Sequence, residues 1–232
     1  MNRPRTPLEN TYSTSFMAEY FHDWLDLPTP LEGSRIVDVG AGGSNLTQFL
    51  RAHGADAYAV DPRYSDNFHP LFQSLKENLG LTPREIDVDS LLERLRGWFM
   101  RGGSTPDKNQ YAFERMLVDA RQHPDRYLVG RADKLPFEDE SIDFVHSLEA
   151  VSAFLMDDVD ELRNSVREMI RILKPGGKLQ INPWPLNERP WYAWEPHQVV
   201  NATVVQRDLE NSVTEWAILP SPYAETDLVI TK

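Results

Sequence analysis

The sequence has 232 residues and a formal net charge of −12, from 24 lysines and arginines against 36 aspartates and glutamates. A hydrophobic fraction of 41% is enough for one substantial core, and the length fits one domain, 1–232, with an insertion. The acidic charge disfavours DNA or RNA as a partner, and the absence of cysteine excludes disulfides, thiolate metal sites and cysteine nucleophiles.

The chain carries no signal for a membrane. No run of apolar residues is long enough to span a bilayer, and no apolar stretch follows the basic residues of the first segment. We therefore expect a soluble cytoplasmic protein with no membrane partner. The sequence leaves the oligomeric state open.

The first half of the chain predicts a lid helix, a βαβ unit and an insertion. The aromatic stripe from Phe16 to Leu25 predicts an N-terminal helix. Ser34–Val39 and Ala57–Val60 are typical of buried strands, and Ser44–His53 between them is typical of a helix, so the strands are expected to be parallel. Residues 64–124 then show helical spacing over a length too great for a simple connection, which indicates a helical insertion.

The second half resumes the alternation of strand and helix. Its predicted elements are strands at Tyr127–Val129, Ile142–Ser147 and Lys178–Ile181, a helix at Val159–Leu173, and closing strands at Val213–Leu219 and Asp227–Thr231. The predicted stop of the helix is Lys174–Gly177, where glycine can take the left-handed C-cap. The alternation predicts an α/β fold with a mostly parallel sheet and helices on both faces.

The glycine-rich turn after the first strand is the main candidate for ligand binding. In Asp38–Ser44 the glycines allow a sharp turn and a close approach of the backbone to a ligand. Asp61 ends the second strand, where a carboxylate can accept both hydroxyls of a ribose. A nicotinamide dinucleotide is disfavoured, because Asn45 stands where its fingerprint needs the last glycine.

Five features in chain order resemble the class I (Rossmann-like) S-adenosylmethionine (SAM)-dependent methyltransferases: the turn, Asp61, and the segments Ala132–Phe137, Ser141–Val145 and Leu173–Lys178. The resemblance runs from about residue 34 to 181, interrupted by the insertion. It implies a seven-stranded sheet whose last strand is inserted antiparallel, with SAM as the cofactor. One position departs from the family, since Ser44 often corresponds to a third glycine.

The resemblance also implies the cofactor-binding residues. Asp38, Gly40, Gly42 and Gly43 would flank the methionine part of SAM, and Asp61 would bind the ribose. Ala132 and Asp133 would face the adenine, with the Asp133 carboxylate on the N6 amino group. Ser147 and Leu148, which end the fourth strand, would line the sulfonium side. For Asp38 and Asp133 a purely structural role, in a cap or a turn, stays open.

The sequence says less about the reaction. His146 is a candidate general base, and Asn182 and Trp184 are candidates for orienting the acceptor and favouring the cationic sulfonium. For His146 and Trp184, ordinary packing roles stay open. The histidines lack the spacing of a zinc site, and we expect no metal. The favoured function is a SAM-dependent methyltransferase for a small molecule.

Two other functions remain open at this point. One is a cyclase that consumes SAM alone and forms azetidine-2-carboxylate and methylthioadenosine. The other is a catalytically silent SAM-binding subunit. The nucleoside product distinguishes methyl transfer from cyclisation.

Overall fold

A computed structural model describes residues 25–65, 108–148, 150–185, 194–209, 213–220 and 226–232. Its strands are β1 (Arg35–Val39), β2 (Asp56–Val60), β3 (Tyr127–Leu128), β4 (Ile142–Leu148), β5 (Leu173–Asn182), β6 (Glu215–Pro220) and β7 (Thr226–Thr231). Its helices are α1 (Leu46–Ala52), α2 (Lys108–Gln122), α3 (Val151–Phe154), α4 (Val159–Ile172) and α5 (Pro196–Leu209). Short 3-10 turns occupy Pro62–Tyr64 and Pro124–Arg126.

The strands form one seven-stranded sheet in the order β3-β2-β1-β4-β5-β7-β6. Strands β1 to β5 pair in parallel, and β7 is inserted antiparallel between β5 and β6. This confirms the predicted Rossmann-like fold with its antiparallel last strand. Because parallel strands share a direction, the ends of β1, β2 and β4 open at the same edge of the sheet.

The side chains of β1 alternate between two cores, one on each face of the sheet. Val37 and Val39 point to the core that α4 and α5 cover, whereas Ile36 packs with α1. In β4, Val145 belongs to the first core and Phe144 to the second. This alternation of consecutive residues follows from the pleat of a strand, and it decides which side chains reach the site.

The structure differs from the predicted elements at three places, in β5 and in the helices α3 and α5, and α3 was not predicted. Strand β5 begins at Leu173, directly after α4, so Lys174–Gly177 lies within the strand instead of separating it from the helix. Gly176 does adopt a positive φ of 79°, and the register with β4 shifts near Ile142. Helix α5 was not predicted, because the exposed Val200 and Val204 obscure its one-sided pattern.

Two predicted features fall largely outside the described residues. Of the predicted N-terminal helix, Phe16–Leu25, the structure describes only Leu25. This side chain is buried in the core that packs with α1. Residues 66–107 of the insertion are also outside, while α2 at its end is helical as predicted. No helix in the described part of the chain is both long enough and apolar enough to cross a membrane.

Candidate functional site

A cavity of about 310 Å³ lies at the edge of the sheet where β1 and β2 end. Its walls combine the ends of those strands with the segment after β3 and with α3 and α4. Val151, Phe154 and Leu155 provide apolar wall, and Asp61 and Asp133 provide carboxylates. The volume and this mixture of apolar and polar groups are typical of sites for small organic ligands.

The glycine turn is held against the end of β2 by backbone hydrogen bonds. The N–H groups of Gly40 and Ala41 donate to the Val60 carbonyl at 2.8 and 3.3 Å. Gly40 and Gly42 have φ values of 75° and 53°, which lie in the left-handed region that favours glycine. The sharp turn predicted from these glycines is therefore present beside the cavity.

Gly42 is fixed through both of its peptide groups. Its N–H donates to Asp61 Oδ2 at 2.9 Å, and its carbonyl accepts from the Tyr64 hydroxyl at 2.8 Å. Burial, reinforced by the charge of Asp61, raises the pKa of Tyr64 well above its ordinary value. Tyr64 therefore keeps its proton and acts as a permanent donor to the turn.

Asp61 is the most heavily bonded acid of the site, and its side chain is only 2% exposed. Besides Gly42, it accepts from the Arg63 backbone N–H at 2.8 Å. The Arg63 guanidinium binds both carboxylate oxygens, Nε to Oδ1 at 2.9 Å and Nη2 to Oδ2 at 2.8 Å. Burial lowers the pKa of Arg63, but the hydrogen bonds and charge of Asp61 outweigh it, and the net shift is upward.

Asp133 has a second and more exposed arginine pair. Arg131 Nε and Nη2 donate to its two oxygens at 2.9 and 3.3 Å, and the same Nη2 reaches Glu161 at 2.7 Å. The hydrogen bonds from Arg131 lower the pKa of Asp133 against a smaller opposing effect of burial. Asp133 is therefore an ionised acceptor near neutral pH.

The structure brings part of the predicted cofactor set together. Gly40, Asp61, Ala132 and Asp133 line the cavity. Five other predicted residues are not among the described residues that line the cavity: Asp38, Gly42, Gly43, Ser147 and Leu148. Of these, Ser147 accepts from the Val151 N–H at 3.3 Å and so supports the start of α3.

The three predicted catalytic residues are buried and lie outside the described cavity wall. His146 is 1% exposed, and neither of its ring nitrogens has a hydrogen-bond partner among the described residues. Its Nδ1 lies 3.7 Å from Asp38 Oδ1. Asn182 donates to the buried Asp227, and Trp184 is 1% exposed within the main core. The catalytic roles of these three residues stay predictions. In the structure Asn182 hydrogen-bonds to Asp227, and Trp184 packs in the main core.

Sequence reasoning missed two residues that define the site, Arg63 and Tyr64. Both directly follow Asp61 and Pro62, and Asp61 serves as N-cap of the 3-10 turn that carries them. An aspartate followed by proline at the start of a turn commonly accepts from the N–H two residues on. The Asp61–Pro62 pair could therefore have predicted the hydrogen bond from the Arg63 backbone N–H to Asp61. The positions of the Arg63 and Tyr64 side chains follow from tertiary packing, which the sequence does not show.

The sequence matches known methyltransferases. Residues 103–181 match the family model described as a methyltransferase domain. The chain is 24% identical over 82% of its length to the biotin biosynthesis bifunctional protein BioHC of Cellvibrio japonicus. It is 30% identical over 33% of its length to a ubiquinone biosynthesis O-methyltransferase of Dechloromonas aromatica. It spans 28% and 33% of these two relatives. An uncharacterized methyltransferase of Mycobacterium bovis is 24% identical over 90% of the chain and 68% of that protein.

Solved structures share the fold. A SAM-dependent methyltransferase from Aquifex aeolicus aligns with a TM-score of 0.51 at 16% identity, covering 98% of both chains. A putative O-methyltransferase from Nostoc punctiforme aligns with a TM-score of 0.54 at 14% identity, covering 97% of this chain and 60% of that one. With the matched domain and the sheet order, these similarities lead to one conclusion: residues 103–181 match a methyltransferase domain, and the chain has the fold of the class I methyltransferases, whose cofactor is S-adenosylmethionine.

Proposed function

We propose that this chain transfers a methyl group from SAM to a small-molecule acceptor. The observation that supports this function is the cavity, where the glycine turn, two ionisable acceptors and an apolar wall meet at one edge of the sheet. Ligands of open α/β folds bind at this edge.

The residues present fit a nucleoside cofactor. Carboxylates such as Asp61 and Asp133 accept hydrogen bonds from hydroxyl and amino groups, and both line the cavity. The hydroxyl of Ser165 on α4, a buried residue of the cavity wall, has no hydrogen-bond partner among the described residues. In the proposal Asp61 holds the ribose, Ala132 and Asp133 hold the adenine, and the backbone at Gly40 borders the methionine part.

The chain itself contributes orientation and exclusion of water. The bound cofactor supplies a methyl group activated by a sulfonium. Val151, Phe154 and Leu155 provide the apolar surface that keeps water from the ligand, and positioning of this kind accounts for much of the rate of a direct transfer. His146 is not assigned a base role in this proposal, because its burial separates it from the described cavity wall.

The names of the relatives suggest which acceptors to test first. One relative is named for ubiquinone biosynthesis and another for biotin biosynthesis, so we propose precursors of these two compounds as initial acceptors. The purified protein is incubated with SAM, with and without each acceptor, and the nucleoside product is identified. We expect S-adenosylhomocysteine to form only with an acceptor. Methylthioadenosine formed from SAM alone would contradict methyl transfer and favour the cyclase.

Binding can be tested separately from turnover. We expect Asp61→Ala to weaken S-adenosylhomocysteine binding by about 1–3 kcal/mol, because a charged acceptor for the ribose hydroxyls is lost. Titration calorimetry measures this change. Unchanged affinity in a folded variant would remove Asp61 from the ribose site, whereas absence of binding to the wild type would contradict the proposed function itself.

A further inference from the structure

The Asp61 carboxylate has no free acceptor position in this structure. A carboxylate offers about four lone-pair sites on its two oxygens. Oδ1 accepts from the backbone N–H and the Nε of Arg63, and Oδ2 accepts from the N–H of Gly42 and the Nη2 of Arg63. All of these distances lie between 2.8 and 2.9 Å, so each is a well-formed hydrogen bond.

The four donors differ in how readily they can leave. The Gly42 N–H is fixed because the turn is bound to Val60 and Tyr64. The Arg63 N–H is fixed by the 3-10 turn that Asp61 caps. The guanidinium, in contrast, is the end of a flexible side chain that is 23% exposed, and it lines the cavity. Only the guanidinium bonds can be exchanged without rearranging the backbone of the site.

We propose that Arg63 competes with the cofactor for Asp61: its guanidinium occupies the positions of the ribose hydroxyls, and SAM binds by displacing it. This inference rests on the proposed function, since it needs SAM to bind with its ribose at Asp61. Displacement exchanges two hydrogen bonds of an ion pair, in which donor and acceptor are both charged, for two bonds from hydroxyls, in which only the carboxylate is charged. Arg63 therefore lowers the affinity for SAM, and a substitution that removes the guanidinium should raise that affinity.

Removing the competitor should tighten binding. We expect Arg63→Ala to bind S-adenosylhomocysteine at least about tenfold more tightly than the wild type, and Arg63→Gln to show a smaller gain in the same direction. The gain should disappear in the double variant Asp61→Ala/Arg63→Ala, because the exchanged bonds then no longer exist. Titration calorimetry on the full chain measures each affinity, and circular dichroism checks that every variant is folded.

Arg131→Ala is the matched control. Arg131 also binds a cavity carboxylate, that of Asp133, but its side chain is 62% exposed, so its hydrogen bonds are screened by solvent and contribute little. We expect a change of less than about threefold in this variant. A gain as large as that of Arg63→Ala would mean that the release of Asp61 is not the specific cause of tighter binding, and it would overturn the competition.

The ribose hydroxyls provide a second test that does not depend on activity. Adenosine should bind better than 2′,3′-dideoxyadenosine, and this preference should grow in Arg63→Ala. In nitrogen-15 NMR spectra of the wild type, the Nε–H of Arg63 should be protected from exchange without ligand and lose that protection when S-adenosylhomocysteine is added.

The outcomes separate the two proposals. If the wild type binds S-adenosylhomocysteine but Arg63→Ala binds it equally or more weakly, or Nε–H stays protected in the complex, the competition is overturned while the proposed function stands. If the wild type binds no S-adenosylhomocysteine, both proposals fail together.

Discussion

Gly40 and Ala150 bring the glycine turn against the segment that leads into α3. A Cβ added at Gly40 would lie less than 3.0 Å from the Cβ of Ala150, closer than real Cβ atoms approach. Ordinary contacts between carbon atoms are about 3.5–4.0 Å. Both residues line the cavity, so the substitution Gly40→Ala tests the packing of the site directly.

Two costs add in Gly40→Ala. A left-handed backbone carrying a Cβ costs about 1–2 kcal/mol, and the contact with Ala150 adds an overpacking cost of about 1–3 kcal/mol. Gly33→Ala is the matched control, because Gly33 has a φ of 77° but no atom within 4 Å of its added Cβ. The lower entropy of the unfolded alanine chain affects both variants alike. The free energy of unfolding should therefore fall about 1–3 kcal/mol further in Gly40→Ala than in Gly33→Ala.

Urea unfolding followed by circular dichroism measures both values. The clash involves the Ala150 side chain, since the Ala150 Cα lies 3.6 Å from the added Cβ, an ordinary contact. Adding Ala150→Gly to Gly40→Ala should therefore recover the overpacking part in a double-mutant cycle. S-adenosylhomocysteine binding should fall in Gly40→Ala and stay unchanged in Gly33→Ala. Equal stability losses in the two single variants, or no recovery in the double variant, would refute the packing argument.

Three further substitutions test the structure around the site. Burial raises the pKa of Asp227, although hydrogen bonds from the Asn182 and Gln180 amides oppose this shift. The folded protein therefore holds the Asp227 proton more tightly than the unfolded chain does. The stability that this proton contributes is greatest at low pH and is lost as pH rises through the raised pKa. Relative to Asp227→Asn, the wild type should thus gain stability as pH falls, and parallel curves of unfolding free energy against pH would exclude this. Arg51→Met breaks the pair with buried Asp119, bonded at 2.8 and 2.9 Å, and should cost about 2–4 kcal/mol in urea unfolding; a loss below about 1 kcal/mol would class the pair with surface ion pairs. Trp184→Ala should cost about 3–5 kcal/mol, because the indole is buried in the core, and wild-type stability would contradict that packing.

The sheet could be predicted from the sequence because each strand has its own local signature. β1 and β2 were bounded to within a few residues by apolar runs that end at a glycine turn and at Asp61–Pro62. The antiparallel insertion of β7 was different, since it came from the family resemblance and not from any local pattern. Helix α5 was missed although Pro196 marks its start, because Val200 and Val204 face outward.

Asp61 shows where sequence reasoning about the site ends. Its place at the end of a strand indicated a ligand acceptor, and the structure puts it in the cavity wall. The sequence did not indicate that Arg63 already occupies that acceptor, because two residues of separation allow a side-chain pair without requiring one. The arginine of the other pair, Arg131, precedes its aspartate and is largely exposed, so similar spacing leads to different burial.

The position of His146 follows from strand register, which one sequence does not reveal. Side chains of a strand alternate between faces, so Val39 on the cavity side implies that Asp38 points to the opposite face. His146 pairs with Asp38 across β1 and β4, and Gln180 pairs with His146 across β4 and β5. Directly paired residues share a face, so His146 lies with Asp38 on the side of α1, away from Val39. Had the pairing shifted by one residue, Ser147 would have taken that place and His146 would have faced the cavity. Register, and not the nature of the side chain, thus keeps this histidine away from the cavity wall.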